Sequence, residues 1–152
     1  MEQQKSLNVM KCVLVKETEL EYTVTKSVTS KTIVNVLEEY GLNSSADEKM
    51  VLICLDVKNN VVGLHEVAHG SINGCGLRMA DIYKRALLNN AFSVVIAHNH
   101  PSGDLKPSRA DVDFTEEIIK AGKLLGINCL DHIIVSIDGY YSLREHGDVY
   151  FD

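Results

Sequence analysis

The stretch that most constrains this chain is Ser93-Val-Val-Ile-Ala-His98-Asn-His100-Pro-Ser-Gly-Asp104-Leu-Lys-Pro-Ser108-Arg-Ala-Asp111. Its opening five residues can be buried on both faces, which suits a central strand. Pro101 and Gly103 then force a sharp turn. Ser108 and Asp111 stand in the S-x-x-D relation that caps a helix start, just after Pro107. A core strand, a tight turn and a capped helix in immediate succession point to an α/β domain, with the turn at the strand's C-terminal end. Open α/β sheets place their ligand crevices at that end.

The flanking sequence supplies the other layers. Residues 50–57 form a second run apolar on both faces. Asn59-Asn60 can provide the positive φ of a hairpin, and residues 61–68 return as its partner. On that return strand Val62, Leu64, Glu66 and Ala68 share one side, with His65 and Val67 on the other. Ile33, Val34, Leu37 and Tyr40 follow helical spacing between a Thr29 or Ser30 cap and Gly41. Met79, Ile82, Tyr83, Ala86 and Leu87 make a second helical stripe; Ala110, Phe114, Ile118, Ala121 and Leu125 make a third, stopped by Gly126. Residues 129–137 and 140–143 read as a hairpin across Asp138-Gly139. Residues 9–15 read as a further strand, and residues 22–28 as a weaker one. Loops cover 43–49 and 69–76. The expected organisation is an N-terminal strand and helix extension over residues 1–45, packed on a domain spanning 46–152.

Bulk properties exclude several classes. With 152 residues, 45% hydrophobic and 24% charged, the chain can bury a core and is not a disordered tail. No run approaches the ~20 apolar residues of a membrane span, and residues 1–8 are too polar for a signal peptide, so a cytoplasmic protein without membrane contact is expected. A net charge of −6 does not suggest a nucleic-acid binder, although nucleic acid is not excluded as a partner. Cys12, Cys54, Cys75 and Cys129 form no C-x-x-C pair, which argues against a disulfide framework or a thiolate cage. Cys12, Cys54 and Cys129 read as buried small hydrophobes, and Cys75, between two glycines, as a loop thiol.

The chemistry concentrates in the opening stretch. If the strand continues through residue 100, Val94, Ile96, His98 and His100 share a face about 6.6 Å apart, and their imidazoles can converge on one ion. A carboxylate from the next helix's first turn, Asp111, completes a three-ligand set with one position left for water, as in catalytic zinc sites. Such an ion brings the pKa of bound water toward ~7. Asp104 competes for the third position but lies in the turn itself. Glu66, a carboxylate on an otherwise apolar strand face, is the expected proton acceptor. Ser108 is the expected donor to a tetrahedral oxyanion, or it is simply a helix cap. His65, His69, His132 and His146 lack comparable spacing and read as ordinary residues, although Asp131-His132 could support the site from behind.

These residues resemble the JAMM motif of JAB/MPN metalloprotease-like domains: His98-x-His100, seven residues, Ser108, two residues, Asp111, with Glu66 upstream. The segments His98-Asn-His-Pro-Ser-Gly-Asp104, Ala121-Gly-Lys-Leu-Leu-Gly126, Asp131-His-Ile-Ile-Val135 and Tyr141-Ser-Leu-Arg-Glu145 are similar to the RadC-type members. The loop at Leu77-Arg78-Met79-Ala80-Asp81 departs from that group's usual His-Pro-Arg-Glu. The resemblance implies a cytidine-deaminase-like three-layer α/β sandwich, a mixed sheet flanked by helices, with one zinc held by His98, His100 and Asp111. It also implies Glu66 as general acid/base, Ser108 as oxyanion stabiliser, and hydrolysis of peptide or isopeptide bonds in an unknown peptide or protein. The alternative class is a DNA-repair or mobile-element-associated protein acting on or with DNA without peptidase activity. Oligomeric state is not legible.

Overall fold

The runs that are apolar on both faces become the middle of a sheet, because only there are both faces covered. The computed structural model describes residues 7–23, 29–70 and 77–151. In chain order its elements are α1 (Ser30–Tyr40), β1 (Lys49–Leu55), β2 (Val61–His69), α2 (Met79–Leu88), β3 (Ser93–Asn99), α3 (Arg109–Leu125), β4 (Asn128–Ser136), β5 (Gly139–Ser142) and α4 (Leu143–His146). The sheet order is β2-β1-β3-β4-β5, with β3 and β4 parallel and the other neighbours antiparallel. Helices cover both faces. Ile33, Val34 and Leu37 of α1 pack with Val51, Ile53, Val95, Ala97, Ile133 and Val135. On the opposite face Ile82, Tyr83 and Ala86 of α2 and Ile118 and Ile119 of α3 pack with Leu52, Cys54, Val94, Ile96 and Ile134. This is a three-layer α/β arrangement with a mixed sheet.

Local signals set most boundaries. Thr29 caps α1, with Gly41 closing it in the left-handed region at φ 83°. Asn59 takes φ 62° in the β1–β2 connection, as that hairpin demands. Strand β3 runs two residues further than its apolar segment, through His98 and Asn99. Residues 140–142 pair as expected, but Leu143 begins the short helix α4 instead of ending a strand.

Several expectations fail in whole or in part. Residues 9–15 form no strand; Val9, Met10, Val13, Leu14 and Val15 are exposed and so is Cys12. High strand propensity alone does not hold a segment that no neighbouring strand pairs with. Tyr22 and Thr23 are not in a strand either; residues 24–28 lie outside the described residues, as does Cys75. The buried face of α3 is Asp111, Thr115, Ile118, Ile119 and Gly122; of the expected stripe Ile118 is buried and Phe114 and Ala121 pack against the core, while Ala110 and Leu125 are exposed. Polar and small residues turn inward because they serve the site and a close helix contact: the Tyr83 hydroxyl donates to the Ile118 carbonyl at 2.6 Å, directly beside Gly122. Finally, Leu87 at the end of α2 is exposed, while Ile82, Tyr83 and Ala86 carry that helix's contact.

The strand β2 also breaks its simple alternation. Met50 pairs with Ala68 but Val51 pairs with Glu66, so Val67 is an inserted bulge residue. Of the four residues expected on one face, Leu64 packs with the α1 cluster while Val62 and Glu66 are exposed; Val67, expected on the other side, packs toward α2.

Candidate metal centre

Alternation along β3 sends Val94, Ile96 and His98 to the α2/α3 face, and the chain carries His100 to the same place just past the strand's end. The His98 and His100 Nε2 atoms lie 2.8 Å apart. The capped first turn of α3 brings Asp111 to them: Oδ1 is 3.4 Å from His98 Nε2, and Oδ2 is 3.9 Å from His100 Nε2. His98 is fully buried and Asp111 nearly so. The structure thus gathers His98, His100 and Asp111 at one point.

Hydrogen bonding fixes which imidazole nitrogens carry protons. The Thr115 hydroxyl donates to the Asp111 carbonyl at 2.6 Å, so toward His132 Nδ1, also at 2.6 Å, it accepts. His132 Nδ1 is therefore protonated and its Nε2 is an acceptor. His98 Nδ1–H donates to that Nε2 at 2.7 Å, which leaves His98 Nε2 as a bare lone pair facing the site. His100 Nδ1–H donates to the Asp104 carbonyl, leaving its Nε2 the same. Burial keeps His132 well below the usual histidine value, and the nearby charges of His98 and His100 act in the same direction. Burial also lowers His98, against the pull of Asp111 and with the push of His100. Two lone pairs and a carboxylate converging at this distance repel one another unless a shared proton or a cation sits among them. The donor set suits a divalent cation, with neutral imidazoles and one carboxylate.

His132 is consequently not an ordinary core residue; it supports His98 from behind, the alternative that its place beside Asp131 left open. A bulge in β4 opposite Val94 and Val95 puts Leu130 and Asp131 together on the α1 side and returns His132 to the side of His98. Asp131 is buried and holds α1, β4 and α4 together. Its Oδ2 accepts from Ser30 at 3.1 Å and Ser142 at 2.6 Å, and its Oδ1 from the backbone of His132 at 2.8 Å and Arg144 at 3.2 Å. Desolvation lifts its carboxyl above the usual value in spite of those bonds.

Besides Asp111, the carboxylate that reaches the imidazoles is Glu48, not Glu66. Ligand atoms of Glu48, His98 and His100 all lie within 4.8 Å of one another, a group that could hold a metal ion. Glu66 is engaged elsewhere: Lys49 Nζ at 3.3 Å, the Tyr40 hydroxyl at 3.1 Å and His69 Nδ1 at 3.3 Å. Burial opposes its charge, but the bonds from Lys49 and Tyr40 outweigh it and hold the carboxyl below the usual range. Burial and the adjacent Glu66 charge push the Tyr40 phenol up to about 12. Glu48 had one signal, its place one residue before an apolar strand. That signal becomes decisive only with the register: Met50 pairs antiparallel with His98, so residue 48 meets residue 100.

Ser108 and Asp111 form a complete capping box. Asp111 Oδ2 accepts from the Ser108 backbone N–H and hydroxyl, both at 2.7 Å, and the Asp111 N–H donates to Ser108 Oγ at 3.1 Å. Ser108's hydroxyl proton is thereby committed to Asp111. The Asp104 carboxylate turns back to the Lys106 N–H at 3.0 Å, and only its carbonyl serves His100. No helix among the described residues is long and apolar enough to cross a membrane.

A family model described as the RadC-like JAB domain matches residues 27–148, a span that takes in α1 and strands β1 to β5. A UPF0758 protein of Methanosarcina barkeri is 44% identical over 102 residues, 67% of this chain and 44% of the relative. One from Methanosarcina mazei is 38% identical over 124 residues, 82% of this chain and 54% of the relative. One from Thermotoga maritima is 41% identical over 102 residues, 67% and 46%. The chain spans about half the length of the curated relatives it matches.

Proposed function

Because this chain belongs to the RadC-like JAB domain family, we propose that it is a zinc-dependent hydrolase of amide bonds, in peptides or isopeptides, with His98, His100 and Asp111 as metal ligands and Glu48 as the proton-transfer group. One observation supports this reading above the others: the hydrogen-bond relay from Thr115 through His132 leaves an unprotonated His98 Nε2 facing His100 and Asp111.

When bound, zinc supplies a Lewis acid that polarises a carbonyl and acidifies nearby water. The chain's own residues do the rest. Glu48 accepts a proton from the attacking water and returns it to the departing amine nitrogen, so the peptide C–N bond breaks as a new C–O bond forms. Ser108 holds Asp111 so that Oδ1 faces His98, and it becomes a donor to the substrate oxyanion only when its hydroxyl leaves Asp111 Oδ2. Glu66, Lys49 and His69 form a charged rim beside Glu48. Substrate and partners belong to this proposal, as does a cytoplasmic site of action.

The test is elemental analysis of dialysed protein, followed by a panel of amide, isopeptide and phosphodiester substrates. The expected result is about one zinc per chain, lost in His98→Ala, with amide cleavage abolished in Glu48→Gln. Undiminished zinc in His98→Ala overturns the metal assignment. Cleavage confined to phosphodiesters overturns the choice of substrate and favours the nucleic-acid class, against which the net charge of −6 argues.

A further inference from the structure

Asn99 stands between the two imidazoles, and strand alternation turns its side chain away from theirs. It is 1% exposed, yet its carboxamide is fully engaged, and all its partners are backbone groups of one short segment. Oδ1 accepts from the Lys49 N–H at 2.7 Å; Nδ2 donates to the carbonyls of Asp47 at 3.0 Å and Ser45 at 3.1 Å. The backbone pairing of β1 with β3 ends at Met50 and His98. The carboxamide therefore stands in for a peptide group and extends the ladder beyond its last rung.

The segment it grips carries Glu48. Two of the three backbone contacts fall on the residues either side of Glu48, and the Glu48 carbonyl itself accepts from the Gly70 N–H at 2.7 Å. Residues 42–47 have no helix or strand to fix them. Burying an amide costs free energy unless its bonds are made, and an apolar side chain would serve a central strand as well. The clamp on residues 45–49 explains why an asparagine is here.

We propose that Asn99 is a positioning residue: by holding the backbone on both sides of Glu48, it sets that carboxylate against the His98–His100 pair. The proposal builds on the reading of Glu48 as the proton-transfer group of a metal centre, but part of its test needs no metal.

A double-mutant cycle with two readouts decides it. In metal-free protein, Glu48→Gln should shift the imidazole C–H resonances of His98 and His100. That perturbation should vanish in an Asn99→Leu background. In the second readout, zinc affinity measured by competition with a chelating dye should drop about tenfold in Asn99→Leu, in line with outer contacts of metal sites, and should change little when Glu48 is already Gln. Asn99→Asp is the conservative control: it keeps the acceptor for Lys49 but sets an oxygen against two carbonyls, and it should show the same losses with less effect on folding. An imidazole response to Glu48→Gln that persists undiminished in Asn99→Leu or Asn99→Asp overturns the proposal, as does its absence from the wild-type chain. If the wild-type chain takes up no zinc, the metal-centre reading fails while the imidazole cycle still decides the role of Asn99.

Discussion

Replacing Thr115 with valine tests the relay that leaves His98 ready to bind a cation. The substitution keeps the shape of a side chain that is fully buried and removes only the hydroxyl that accepts from His132 Nδ1 at 2.6 Å. His132 then has a buried N–H without a partner, which costs about 1–3 kcal/mol. It escapes by moving its proton to Nε2 and donating to His98 Nδ1. That in turn obliges His98 to carry its own proton on Nε2, inside the site and 3.4 Å from Asp111 Oδ1. Metal binding must reverse this exchange, so affinity should fall by the corresponding factor, roughly 5- to 150-fold. Competition titration with zinc against a chelating dye measures the loss, and nitrogen-15 spectra of the metal-free protein report the tautomer directly. Zinc affinity within twofold of wild type, together with an unprotonated His98 Nε2 in Thr115→Val, would refute the relay argument.

Acid should destabilise the metal-free protein through the same residues. Burial holds His98 and His132 below 6.5 in the fold, so under mildly acid conditions the unfolded chain binds protons that the native state does not. Stability is then full above pH 6.5 and falls as pH drops toward 5, by up to about 1.4 kcal/mol per pH unit for each histidine; Asp131, held above its usual value, works in the opposite sense. A urea midpoint that stays constant from pH 7 to 5 would contradict this. Gly122→Ala should lower the melting temperature through a cost of about 1–3 kcal/mol, because the added carbon would meet the Ile127 carbonyl and stand 2.6 Å from the Tyr83 hydroxyl; calorimetry showing no loss would mean α3 shifts freely. Ser108→Ala removes the cap of α3 and one bond to Asp111. A loss of about 1 kcal/mol in stability should accompany weaker zinc binding, and unchanged values in both denaturation and titration would reduce Ser108 to a bystander.

Particular residues show how far the sequence reached. The alternation Val94, Ile96, His98 and the S-x-x-D spacing of Ser108 and Asp111 are local patterns, and local sterics and hydrogen bonding act on them wherever they occur. The helix stops at Gly41 and Gly126 and the Asn59 turn follow from backbone preference in the same way. The strand expected at residues 9–15 shows the limit of that logic, since strand propensity needs a neighbour and none of the strands among the described residues supplies one. Glu66 shows another: its strand β2 is separated from β3 by β1, and its carboxylate turns to Tyr40 and Lys49, a placement that no spacing within residues 61–69 reveals.

The chain by itself therefore determined the α/β class, the strand–turn–helix unit and the trio His98, His100 and Asp111, all carried by short-range spacing. Tertiary structure alone decided that Glu48 stands with the imidazoles, that His132 and Thr115 fix the His98 tautomer, and that Asn99 grips the turn before β1. Each of those contacts joins residues that are far apart in sequence, except the Thr115–Asp111 bond within one helix. They depend on the register of β1 on β3, the bulge of β4 opposite β3 and the inward roll of α3. Strand register and helix roll are set by how the whole core packs, so no window of sequence contains them.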